Sequence, residues 1–375
     1  MGWYSSKRIL MQIHGTLHIH AVAFIILMFC EYSFVAVLLD TYDSRFTVSI
    51  FALTYKLITY GLLLLMLASA APKKTTLVPA IVCFIIFSVA RIFFDGSLSN
   101  TLFSLPIFLF VFHTFRHKPD VFMRGFYYLL ALNIVLVFFQ MLGVHEYFYV
   151  LSLSSPDPLH EFSFIQNDGY LPHHQHRPHG MFASTIQLSL FKYCLIGMLL
   201  IIPNIPKIVY SALGVFLIIS GSITGLLLFF FCCFLILIRK DFWCTALSAY
   251  LTLILIHIFL PDYFVSNFSV EIAASRIESR LFIDAQHSFF SKHGFVFQKS
   301  HILYIIIASA VCSLISFLKF GMNRTLLFSG YLSLLIMPLI NHPLFNDMRF
   351  SFLVAFVISG LYFFKYQDIP DNRSN

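Results

Sequence analysis

Histidine, arginine and carboxylate residues crowd into one stretch of this chain. Between Asp157 and His179 lie His160, His173, His174, His176 and His179, together with Glu161, Asp168 and Arg177. Zinc takes three or four ligands in a tetrahedral cage, and the spacing His174-x-His176-x-x-His179 offers three imidazoles. The same residues also describe a solvated, histidine-rich loop that holds no metal. Pro156, Pro158, Pro172 and Pro178 exclude a long helix through the stretch. Arg177 stands just ahead of an apolar run, in Arg177-Pro178-His179-Gly180-Met181-Phe182. Gly180 allows the backbone to turn sharply into that run. The guanidinium then sits at the edge of an apolar layer, where its planar fork of donors suits phosphate or diphosphate. Snorkelling to lipid headgroups is the other account of the same position.

Three further places could bind an anion or move a proton. Arg276 and Arg280 are four apart in a run that reads as helix over 270–285, so they share a face. Like charges at that spacing repel by a few tenths of a kcal/mol, and a bridging anion would reverse the sign. Glu278 and Asp284 could equally neutralise them as surface pairs. His342, followed by Pro343, ends an apolar run. A neutral imidazole there could take a proton from a hydroxyl, or could be a structural residue. Arg91 and Asp95 are four apart and form a candidate local pair. Glu31, Lys56 and Lys192 fall inside apolar runs, where charge is expensive and needs a partner. An internal pair of Glu31 with one of the lysines, or an ion path, would account for them.

The elements that must position these residues follow from composition. Of 375 residues, 59% are hydrophobic and 11% charged. Soluble domains carry about 25% charged residues, so the chain has too little charge to solvate the surface of a globular domain. The apolar residues come in unbroken runs rather than in alternation, which excludes a transmembrane β-barrel. All seven cysteines lie in apolar runs, giving neither a disulfide framework nor a Cys-x-x-Cys site. The net charge of +7 is dispersed in small groups between apolar runs, so it marks topology and not a nucleic-acid surface. The sequence therefore predicts an all-α, polytopic membrane helical bundle, with residues 1–375 as a single integral membrane domain.

The predicted spans are 19–39, 47–70, 77–94, 101–115, 122–144, 183–202, 208–220, 223–238, 243–259, 302–318, 325–340 and 351–364. Polar stretches separate them at about 150–182 and 260–300. Residues 208–238 as one helix would be about 47 Å long, against a hydrocarbon core of about 30 Å. Ser220-Gly221-Ser222 interrupts the run, so we read two short helices meeting below the surface. Irregular backbone at depth needs cover from protein or a water-filled cavity, which places a cavity near Ser220. With about 12 transmembrane helices, Lys7, Arg8, Lys73, Lys74, Arg116, Lys118, Arg124, Lys207, Arg239 and Lys240 fall on one side with both termini. The two long loops and most carboxylates fall on the other. The positive-inside rule makes the first side cytoplasmic.

An apolar chain of twelve spans, with two long outer loops and an Arg-x-x-Gly leading into a span, resembles the O-antigen polymerase and O-antigen ligase superfamily. The resemblance covers about residues 150–350. It rests on Arg177-Pro178-His179-Gly180-Met181-Phe182, on Leu217-Ile218-Ile219-Ser220-Gly221-Ser222-Ile223-Thr224-Gly225, and on the His342 loop. Where members often carry Pro-Asn after the Arg-x-x-Gly, this chain has Ser184-Thr185; where they often carry an arginine in the broken helix, it has Ile223. The resemblance implies a metal-independent glycosyltransferase of the bacterial inner membrane, its active site facing the periplasm and needing no cofactor. Its substrate would be an undecaprenyl-diphosphate-linked oligosaccharide within the membrane lipid, with a chain-length regulator protein as a candidate partner and no nucleic acid. Arg177, Gly180, Arg276, Arg280 and Arg91 would bind the diphosphate, and His342 with Arg177 would serve the transfer. Polymerase is the preferred reading. The alternatives are a ligase delivering glycan to lipid A-core, and a flippase or other transporter without chemistry.

Overall fold

The computed structural model describes residues 19–30, 45–70, 74–95, 101–142, 178, 180–182, 185–202, 204–270, 329–335 and 348–363. Among these residues the fold is all-helical. In chain order the helices are α1 (Ile19–Phe29), α2 (Arg45–Ala70), α3 (Lys74–Asp95), α4 (Leu105–His117), α5 (Asp120–Met141), α6 (Thr185–Ile201), α7 (Lys207–Ile219), α8 (Ile223–Ile236), α9 (Phe242–Phe259), α10 (Pro261–Phe268) and α11 (Met348–Phe363). Residues 329–335 are also helical. Most expected spans over these residues correspond to helices with ends shifted by a few residues, but the first, expected over 19–39, ends as a helix at Phe29, with Cys30 in a bend, and residues 31–39 lie outside the described residues. Helix α10 is an addition, lying in a stretch read from sequence as polar loop. Pro261 at its first position and Asp262 in its first turn are ordinary helix starters.

By length and composition, α5 and α9 are apolar enough to cross a membrane, and shorter apolar helices accompany them. Helix α6 lies at the centre. Its described side chains, from Leu188 through Ile201, are all buried, as expected of a helix apolar on every face. It contacts α5, α7 and α11; α4 joins α11 to α2 and α3, while α7 packs on α9 and α5. Phenylalanines fill the junction of α1, α5, α6 and α11. Phe29 meets Phe352 at 5.2 Å and Phe126 at 5.6 Å between ring centroids, and Phe126 meets Phe191 at 6.0 Å. These edge-on and tilted contacts suit the ring quadrupoles. Away from this core, apolar side chains point outward. Leu53, Leu57 and Leu64 on α2, Val82 and Ile86 on α3, and Leu247, Leu251 and Leu255 on α9 are all exposed.

The two ends of the bundle differ in charge. At one end the turns between α4 and α5 and between α8 and α9, with the start of α7, carry Arg116, Lys118, Arg124, Lys207, Arg239 and Lys240 against Asp120 and Asp241. Arg239 closes this end. Its Nη1 donates to the Leu199 and Leu200 carbonyls at 3.2 and 2.9 Å, capping the C-terminus of α6. Its Nη2 lies 3.5 Å from Asp241 Oδ2. Those carbonyls have no partner within the helix, and charged hydrogen bonds contribute about 1.5–3 kcal/mol. Arg239→Met is therefore expected to lower the thermal midpoint of the purified protein by several degrees, with Arg239→Lys intermediate. An unchanged midpoint in calorimetry would remove this cap from the account.

Candidate functional site

The opposite end is built around the turn into α6. Gly180 has φ +63°, a left-handed backbone that costs other residues about 1–2 kcal/mol. Two side chains of α5 grip this turn. The Gly180 N–H donates to Gln140 Oε1 at 2.8 Å, and Gln140 Nε2 donates back to the Gly180 carbonyl at 3.1 Å. The Met181 N–H donates to Asn133 Oδ1 at 3.1 Å, while Asn133 Nδ2 donates to the Leu129 carbonyl of its own helix at 2.9 Å. Gln140 and Asn133 are fully buried. A side chain on Gly180 would run into the Asn133 amide oxygen. This glycine is thus required by the grip as well as by the dihedral. Pro178, next to Arg177 in the chain, is buried.

Arg349, in the first turn of α11, lies over the Phe182 ring at 5.7 Å and donates from Nε to the Met28 carbonyl at 3.3 Å. It is only 7% exposed. Phe182 meets Phe191 at 5.5 Å, and Phe191 meets Phe216 at 6.0 Å. Lys192 also meets Phe216, its ammonium 5.8 Å from the ring centroid. Phe182, Phe191 and Phe216 thus form a chain of ring contacts that runs from Arg349 to Lys192. Cation–ring attraction of this kind strengthens when water is excluded.

The broken helix lies beside Lys192. Ser220 closes α7, Gly221 takes φ +55°, and Ser222 caps α8 by accepting the Gly225 N–H at 3.0 Å. The interruption by Ser220-Gly221-Ser222 stands as expected. Ser220 is fully buried, and Tyr263 of α10 lies over the turn, donating its hydroxyl to the Ile219 carbonyl at 2.8 Å. Among the described residues, protein covers this irregular backbone. An extra helix in the second polar stretch supplies the cover, which the hydropathy pattern could not reveal.

Of the residues singled out from sequence, Gly180 is placed in the gripped turn. Arg91 lies in the last turns of α3, where the backbone alone is described. Arg177, Arg276, Arg280, His342 and the histidine-rich loop lie outside the described residues. The end of α3, the start of α11 and the turn into α6 adjoin one another. Phe87 near the end of α3 meets Phe350 of α11 at 6.1 Å, Arg349 reaches Phe182, and α10, which precedes the Arg276 segment, sits on the α7–α8 turn. Lys56 is exposed on α2 rather than paired inside. Gln140, Asn133 and Arg349 were not singled out from sequence. Only the positions of two amides within an apolar run signalled the first two. No family model, curated protein or solved structure matches this chain.

Proposed function

We propose that the chain is a multi-pass glycosyltransferase of a bacterial inner membrane, an O-antigen polymerase. It would transfer a growing glycan from undecaprenyl diphosphate to a lipid-linked repeat unit at the periplasmic face. The outward apolar sides of α2, α3 and α9 and the gathering of basic residues at one end support a membrane setting. That basic end would be cytoplasmic. The opposite end would then face the periplasm, with the Gly180 turn, Arg349 and the departure points of the Arg91, Arg177, Arg276 and His342 segments.

The observation that carries the reading is the gripped turn. Three buried hydrogen bonds hold the backbone three residues after Arg177, and a site that must stabilise developing diphosphate charge needs donors fixed in advance. Arg177 would hold the departing diphosphate, with Arg276, Arg280 and Arg91 as further cations, and His342 would orient or deprotonate the acceptor hydroxyl. As the bond from the sugar to the diphosphate breaks, the new glycosidic bond forms to that hydroxyl, whose proton passes to the base.

The test is the lipopolysaccharide ladder of a strain lacking the chain. Core capped by one repeat unit is the expected result. Core with no repeat unit would make the chain the ligase, and a normal ladder would overturn both readings.

A further inference from the structure

Lys192 is a buried cation that the gripped turn does not use. It is fully buried in the central helix. Its contacts are Ser222 Oγ at 3.1 Å and the face of Phe216. An ammonium has three donors, and among the described residues no carboxylate pairs with it. Ser222 also begins α8, a helix of 14 residues, where it accepts the Gly225 N–H; a helix N-terminus carries partial positive charge, and its first N–H groups lack partners within the helix. The ammonium and the helix end thus have the same sign and share one hydroxyl. In a water-poor interior, two such charges side by side raise each other's energy, and a single anion between them would satisfy both. Ser220 and Thr224 are buried next to Ser222 in the chain, and Ser220 Oγ donates to the Leu217 carbonyl at 3.0 Å.

We propose that Lys192 and the first turn of α8 form a binding site for the phosphate of a membrane lipid. This deepens the glycosyltransferase reading and rests on it for the membrane setting. Phosphate suits the site because it combines negative charge with several acceptor oxygens, matching the ammonium, the first-turn N–H groups and the Thr224 hydroxyl. An isoprenoid diphosphate, a bilayer glycerophospholipid and free phosphate all carry that chemistry. Tyr263 of α10 lies over the neighbouring turn, so a ligand could enter only if α10, eight residues long, moved aside.

The test uses the full chain in detergent, titrated separately with undecaprenyl diphosphate, phosphatidylglycerol and inorganic phosphate, and followed by intrinsic fluorescence. Lys192→Met keeps the stem and removes the charge; Lys192→Gln also keeps a donor for Ser222 and serves if the methionine variant does not fold. The expected result is at least a tenfold rise in Kd for one of the two lipids, with Lys192→Arg within about threefold of wild type. The lipid affected identifies the source, and an equal effect on inorganic phosphate would make free phosphate the ligand. Unchanged affinity for all three probes in the folded variants, or binding of none by the wild type, overturns the proposal. A normal ladder in the deletion strain with Lys192-dependent binding intact would remove the polymerase reading alone.

Discussion

Arg177→Ala is expected to leave the protein inserted and long polysaccharide absent. Single fixed donors facing developing negative charge contribute about a hundredfold or more to rate, and polymerisation compounds the loss, because each added unit needs another transfer. The ladder should collapse to core with a single repeat unit, matching the deletion strain, while a tagged protein stays at wild-type level in the membrane fraction. Arg177→Lys keeps the charge but not the planar fork, so it should restore only short chains. A full ladder from Arg177→Ala at wild-type protein level would remove Arg177 from the site.

Gly180→Ala has the second large effect, and by another route. Its cost has two parts. The left-handed dihedral penalises alanine by about 1–2 kcal/mol. The new Cβ also displaces the Asn133 amide oxygen, leaving the buried Met181 N–H without its acceptor at about 1–3 kcal/mol. The sum, roughly 2–5 kcal/mol, is a large part of a typical folding free energy of 5–15 kcal/mol. A fall of several degrees or more in thermal midpoint, together with a shortened ladder, is expected. Gly61→Ala is the control, since nothing lies within 4 Å of its added Cβ and alanine favours helix. If both variants melt like the wild type, the gripped turn carries no such strain.

These two predictions draw on different sources of knowledge. Arg177 is visible from sequence because an arginine ahead of a glycine and a long apolar run is a local pattern. The need for glycine at 180 was half visible: a turn was expected, but not the two amides that hold it. Gln140 lies 40 residues away in the chain. Its burial in an apolar run looks the same in sequence whether it faces lipid, a neighbouring helix or a turn.

The sequence by itself determined that this chain is helical, where most of its described helices run, where the long apolar stretch breaks at Ser220-Gly221-Ser222, and how charge divides between alternate turns. Those properties follow from local hydropathy, from glycine and serine at a helix break, and from counting charges. Only the tertiary structure decided that α6 is the enclosed helix, that Gln140 and Asn133 clasp the Gly180 turn, that α10 covers the break, and that Lys192 meets Ser222. The physical reason is that helices such as α6 and α9 are apolar on nearly every face. Where one apolar surface can serve equally against lipid or against another helix, periodicity does not select a neighbour. Shape, aromatic packing and a few buried hydrogen bonds make that selection, and they join residues far apart in the chain.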